Sequence, residues 1–214
     1  SEGTLRQRMD AHAMAFLPIV QEAAIEFLRR SEAMITSLDT GWVAVDADVT
    51  PFDNSQSKKE GVSRTYKGMD GYAPMAAYLG QEGYCLELEM REGKQHCQKG
   101  MPYFLEETLY RSFELLPQTS SLLLRLDGGH DAAENYALIT RTPRCYAIVK
   151  RNLRKESKEA WLDRAERLGT LVTDTGTVKR YRGYLTNFTT VCEGEEASGT
   201  VVFDISCEYA DRNG

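Results

Sequence analysis

The run Trp42-Val43-Ala44-Val45-Asp46-Ala47-Asp48-Val49-Thr50-Pro51 is short, rich in β-branched residues and closed by a proline. It reads as one buried strand that carries two acids into its C-terminal half. Aspartate is depleted in strand interiors, so two of them here call for a reason other than folding. Standing two residues apart, Asp46 and Asp48 point to one face of the strand. Carboxylates held side by side repel each other, and the simplest remedy is a hard divalent cation with oxygen ligands.

A polar loop from Asp53 to Thr65 follows, and then Tyr72 to Leu79, the turn Gly80-Gln81-Glu82-Gly83, and Tyr84 to Met90. Alternating apolar residues around a glycine-rich turn predict a hairpin. Three successive strands with no helix between them imply antiparallel pairing. Pro102 to Leu116 reads as a helix with proline in its first turn, and Ser121 to Leu126 as a second buried strand, ending at Asp127. A short helix over Asp131 to Ile139 and a strand over Cys145 to Val149 complete the order β-β-β-α-β-α-β. That order predicts an α/β (α+β) mixed sheet with flanking helices.

In an open mixed sheet, functional groups gather outside the strand ends. This rule singles out Asp46, Asp48 and Asp127, although Gly128-Gly129 behind Asp127 makes turn capping a competing use for that acid. Arg125 shares the Asp127 side of its strand and is a candidate counter-ion. His96 and His130 read as surface-loop histidines, with approach to the site as the alternative. Lys58, Lys59, Arg64 and Lys67, in the loop after the first acids, are candidate phosphate contacts.

Outward from this core, residues 4–38 carry Phe16, Ile19, Val20, Ala23 and Phe27 at helical spacing, interrupted by Pro18. Two helices or one kinked helix are expected, the first opening on the capping pattern Ser1-x-x-Thr4. After Arg151 come a charged helix from about Glu156 to Leu168 and strand-like segments Val178 to Thr190 and Thr200 to Tyr209, separated by an acidic turn at Glu193 to Gly199. The expected domains are therefore an N-terminal helical segment (1–40), a core (41–150), and a charged helix with a partial β-rich insertion (151–214). The chain opens without Met inside a helix pattern and stops just after a strand pattern, so it is expected to be a fragment.

The chain has 214 residues, 42% hydrophobic and 27% charged, which excludes disordered, collagenous and disulfide-stapled classes. Its five cysteines are odd in number and widely spaced, so neither disulfides nor a structural zinc are expected. No run of about 18 apolar residues occurs and no signal peptide opens the sequence, which predicts a cytoplasmic protein with no membrane partner. A net charge of −6 argues against a uniformly basic nucleic-acid binder. Between Thr140 and Arg182, however, 12 Lys/Arg stand against 5 Asp/Glu. Such a segment can sit on phosphate, with a solvated helix over Arg151 to Arg167 as the plainer use.

Two enzyme classes meet this pattern. Asp46-x-Asp48-x-Thr50 after an apolar strand resembles the nucleophile loop of haloacid-dehalogenase-type phosphatases, which needs parallel strands joined by helices. The alternative is ribonuclease-H-like, with three antiparallel strands ahead of a helix and a fourth strand. Four spaced motifs carry a more specific likeness. They are Val45-Asp46-Ala47-Asp48-Val49-Thr50-Pro51-Phe52-Asp53-Asn54-Ser55, Tyr66-Lys67-Gly68-Met69-Asp70-Gly71-Tyr72-Ala73-Pro74, Leu86-Glu87-Leu88-Glu89-Met90-Arg91-Glu92-Gly93-Lys94-Gln95-His96, and Leu124-Arg125-Leu126-Asp127-Gly128-Gly129-His130-Asp131. In this order they resemble the DDE-domain transposases of bacterial insertion sequences, over roughly residues 1–210.

The resemblance implies a DNA transposase dependent on Mg2+ or Mn2+, with a ligand and catalytic acid at Asp48, Asp46 as second choice for that place, and another at Asp127. It implies partners too: transposon ends and target DNA, with self-association of the full-length protein on DNA. The family's third acid is a Glu on a helix after a β-rich insertion, in a Tyr…Arg…Glu pattern, and no such helix reads out before Gly214. A truncated chain, inactive in strand transfer, is the resulting expectation. A non-catalytic DNA-binding remnant is the third reading, one that keeps the fold without the metal.

Overall fold

The computed structural model describes residues 2–154, 156–192 and 195–208, with side chains for residues 3–154 and 156–183. Two compact units result, Ser1–Lys150 and Arg151–Gly214. The first opens with helices α1 (Glu2–Ala11) and α2 (Ala13–Arg30), bent by 91° to each other. The break expected at Pro18 falls instead at His12, whose non-helical backbone leaves its carbonyl to accept the N–H groups of Ala15 and Phe16. Pro18 stays inside α2, near the start, where its ring removes a single backbone donor. The capping residue read at Ser1 lies outside the described residues. No single described helix is long and apolar enough to cross a membrane.

The chain then forms β1 (Val43–Val49), the short strands β2 (Phe52–Asp53), β3 (Ser63–Arg64) and β4 (Asp70–Tyr72), and the hairpin β5 (Met75–Leu79) and β6 (Tyr84–Glu89). Helix α3 (Met101–Leu115), strand β7 (Leu122–Leu126), a 3-10 turn (Gly128–His130), helix α4 (Ala133–Arg141) and strand β8 (Cys145–Val149) follow. The loop predicted over 53–65 is thus partly ordered, its ends β2 and β3 pairing with β4 in a small sheet of their own. Gly93 closes that sheet from behind, where a Cβ would stand 2.1 Å from the Ser63 carbonyl and 2.4 Å from that of Gly71.

The main sheet has five strands in the order β6-β5-β1-β7-β8. β5 runs antiparallel to β1 and β6, whereas β7 lies parallel to both β1 and β8. With α3 between β6 and β7 and α4 between β7 and β8, this is the ribonuclease-H-like mixed sheet. The β1–β5 pairing is antiparallel and no helix joins the two strands, so the parallel topology that the phosphatase alternative needs is absent here.

Alternation along the strands decides what faces the core. Val43, Val45, Ala47 and Val49 of β1 join Leu122, Leu124 and Leu126 of β7 in one apolar cluster, closed by Phe104, Leu105 and Leu109 of α3 and Leu138 of α4. Each fully buried aliphatic side chain contributes about 1.5–3 kcal/mol, so this face anchors the sheet. The intervening residues, Asp46 and Asp48 of β1 and Arg125 of β7, necessarily point the other way. On that second face Tyr78, Tyr146 and Ile148 are exposed.

In the second unit, Ser157 caps α5 (Lys158–Leu168) by accepting the Ala160 N–H at 3.2 Å. Trp161 and Ala165 of this helix are buried, and Ala165 clusters with Tyr181 and Leu162. An antiparallel sheet of order β11-β10-β9 follows, from β9 (Thr170–Asp174), β10 (Val178–Cys192) and β11 (Glu195–Glu208). The turn read at 193–199 is shorter than expected, since residues 195–199 already pair with β10. Glu193 and the strand-like end at Tyr209 lie outside the described residues.

Candidate metal centre

The parallel register of β1 and β7 sets Asp46 beside Arg125 and Ala47 beside Leu126. The next residues, Asp48 and Asp127, therefore come together at the C-terminal ends of neighbouring strands about 4.8 Å apart. A ligand atom from each, with one from His130, lies within 4.8 Å of the other two. Both acids are exposed, whereas His130 is buried.

Local bonds aim the two carboxylates. Asp48 Oδ1 accepts the Val49 N–H at 2.7 Å. Asp127 Oδ1 accepts the Gly129 N–H at 2.9 Å, so this acid caps the 3-10 turn that delivers His130. Turn capping and membership of the acidic group are thus compatible uses of one side chain. Gly129 is required by space: a Cβ there would lie 2.8 Å from Cys97 Sγ and 3.1 Å from Asp127 Oδ1.

His130 departs from the surface-loop expectation. Its side chain is 1% exposed, and Nε2 stands 3.6 Å from Asp127 Oδ1. Neither ring nitrogen has a hydrogen-bond partner. Burial pushes its pKa down, against the upward pull of Asp127 and Asp48, which favours the neutral imidazole. The loop is pinned from behind: Asn135 Nδ2 donates to the His130 carbonyl at 2.8 Å, and Cys97 Sγ donates to that of Gly129 at 3.3 Å. Buried Arg91 holds the Cys97 carbonyl at 3.1 Å and pairs with Glu89 at 2.8 Å. The sequence signal was the Asp127-x-x-His130 spacing, which one turn of 3-10 helix folds onto a single side.

Asp46 takes a different partner. Arg125 donates Nε to Asp46 Oδ1 at 2.6 Å and Nη2 to Oδ2, so the counter-ion read on this face serves Asp46 and not Asp127. The same bond raises the Arg125 pKa. His96 is exposed and its Nδ1 accepts the Gln98 N–H at 3.1 Å, outside the three-donor group. Arg64 pairs with Asp70 at 3.4 Å and, with Lys58 and Lys59, lines a cleft on the small sheet. Tyr66, which the sequence reading passed over, is 72% exposed with Lys67 Nζ 5.9 Å from its ring centroid. Its phenol is raised in pKa, first by partial desolvation and then by the charges of Asp48 and Asp127. In the second unit Arg151 pairs with Glu156, which also accepts the Trp161 indole N–H at 2.7 Å. Lys155 lies outside the described residues.

Two carboxylates and an unpartnered imidazole at this separation fit a divalent cation. The buried ring nitrogens are the telling observation, because polar atoms left without partners in a protein interior cost stability unless a ligand satisfies them.

No protein-family profile matches the sequence, and no curated protein matches it. Among solved structures, the cryo-EM structure of a piggyBac transposase synaptic complex with hairpin DNA is similar over 79% of this chain, with a TM-score of 0.34 and 9% identity. The chain spans 37% of the length of that transposase chain.

Proposed function

We propose that this chain carries the ribonuclease-H-like catalytic core of a DDE-type transposase, a metal-dependent enzyme of DNA strand cleavage and transfer. The observation that supports it is the meeting of Asp48 and Asp127 at adjacent parallel strand ends, with His130 beside them. In this reading residues 41–150 are the core, 1–40 a helical appendage, and 151–214 a charged helix with the start of a β-rich insertion.

Asp48 and Asp127 hold the cation, Mg2+ or Mn2+. When bound, such an ion supplies Lewis-acid activation of the attacking hydroxyl and neutralises charge at the leaving oxygen. The protein's own contribution is orientation. The Val49 and Gly129 N–H groups fix the two carboxylates. Arg125 neutralises Asp46 and so limits the negative charge that a DNA phosphate meets on this face. Lys67 and Tyr66 at the loop tip contact the backbone and stack on an exposed base. The resemblance assigns a third acid to a helix after the insertion, so the test reads what Asp48 and Asp127 govern by themselves, metal-dependent binding.

That test is the affinity of the chain for a fluorescent DNA duplex, with Mn2+ or with chelator, for wild type, Asp48→Asn and Asp127→Asn. The proposal expects Mn2+ to strengthen wild-type binding and to leave either variant unchanged. Binding indifferent to metal in all three would leave a DNA-binding remnant. Absence of DNA binding would remove the nucleic-acid reading.

A further inference from the structure

We infer that His130 is itself a ligand of the cation, so that the site is a mixed nitrogen and oxygen centre selecting Mn2+ over Mg2+. This deepens the proposed function and rests on its metal site. Three observations carry it. The imidazole is enclosed, at 1% exposure, yet neither ring nitrogen is satisfied by the protein. Its Nε2 stands 3.6 Å from Asp127 Oδ1, and a ring nitrogen belongs to the 4.8 Å set that includes Asp48. And the backbone that carries it is locked, because Asn135 holds the His130 carbonyl while Gln98 Oε1 accepts from Asn135 Nδ2 at 2.9 Å.

A histidine serving only as filler would gain nothing from two orphaned nitrogens, since an apolar side chain of similar volume avoids the desolvation cost. A metal ligand needs a rigid imidazole with one nitrogen toward the carboxylates, which Nε2 supplies; the cation would satisfy that nitrogen and leave Nδ1 as it is. Hard Mg2+ prefers oxygen donors and keeps its waters, whereas imidazole suits the first-row transition metals. Replacing one oxygen donor by nitrogen therefore moves the preference toward Mn2+ and beyond it to Co2+.

The test is electron spin-echo envelope modulation on the wild-type chain loaded with one equivalent of Mn2+. Directly coordinated imidazole nitrogen modulates the echo, and the expected result is 14N modulation that disappears in His130→Gln. Alongside, calorimetric titration should show Mn2+ binding at least about tenfold tighter than Mg2+ in wild type, a preference reduced to about threefold or less in the variant. Mn2+ bound without 14N modulation, or modulation that survives His130→Gln, overturns this inference and leaves the proposed function standing. Failure of wild type to bind Mn2+ overturns both. The wild-type spectrum decides the matter even where the variant does not fold.

Discussion

Arg125 donates to both carboxylate oxygens of Asp46, two residues before the point where Asp48 and Asp127 come together. A neutralised pair therefore stands next to an unneutralised one on the same sheet face. This relationship separates two acids that are equivalent by strand parity. Asp46→Asn should leave Mn2+ affinity within about threefold of wild type, while Asp48→Asn and Asp127→Asn each lose about tenfold or more, read by calorimetric titration. The pair is roughly half exposed, so Asp46→Asn should cost at most about 1 kcal/mol in urea unfolding.

Gly129 sits where the loops carrying Cys97 and Asp127 touch. Gly129→Ala should weaken Mn2+ binding several-fold, because the added methyl meets Cys97 Sγ at 2.8 Å and the capping oxygen of Asp127 at 3.1 Å. Adding Cys97→Ala removes the closer contact, so the double variant should recover part of the loss in the same titration. Equal affinities for the single and double variants would show that Cys97 is not what the methyl meets.

Glu87 of β6 and Arg111 of α3 form an ion pair that is about nine-tenths buried, and Gln21 of α2 donates to Glu87 as well. Removing one partner strands a buried charge. Arg111→Leu alone should lower unfolding free energy by about 3 kcal/mol, and Glu87→Met combined with it should restore much of that. Chemical denaturation of the four proteins in the cycle measures the coupling.

Cys145 of β8 is buried against the core, and burial pushes its thiol from 9.0 up to about 11. In the unfolded chain the thiol ionises near its ordinary value, so above about pH 9 the unfolded state releases a proton that the folded state keeps. Stability from this group is complete below that pH and is lost as pH rises toward 11. Cys145→Ala should therefore flatten the fall in melting temperature between pH 9 and 11, a span worth about 2 kcal/mol. An unchanged slope would place the thiol in water.

Much of the fold was legible because β1 announces itself: a β-branched run closed by Pro51, followed by a hairpin with no intervening helix, admits few sheet orders. Asp48 and Asp127 were legible as strand-end acids, and Asp46 shared their signal because parity cannot separate residues two apart. Its pairing with Arg125 depends on the parallel register of β1 and β7, which a single strand does not encode. His130 was misread for a related reason. Its loop is held in place by Asn135, Gln98, Cys97 and Arg91, spread over some 45 positions of chain, whereas the adjacent glycines look like an exposed loop. Strand β9 went unread since its five residues are exposed and show no alternation. The bend at His12 was assigned to Pro18, which instead sits inside α2.

The central claim, that Asp48 and Asp127 jointly hold a divalent cation, is tested most directly by anomalous diffraction from crystals of the chain soaked in Mn2+. The account predicts one strong anomalous peak at the C-terminal ends of β1 and β7, with an oxygen of each carboxylate about 2.2 Å away. Such crystals showing no peak there, or manganese bound only to acids elsewhere on the surface, would contradict it.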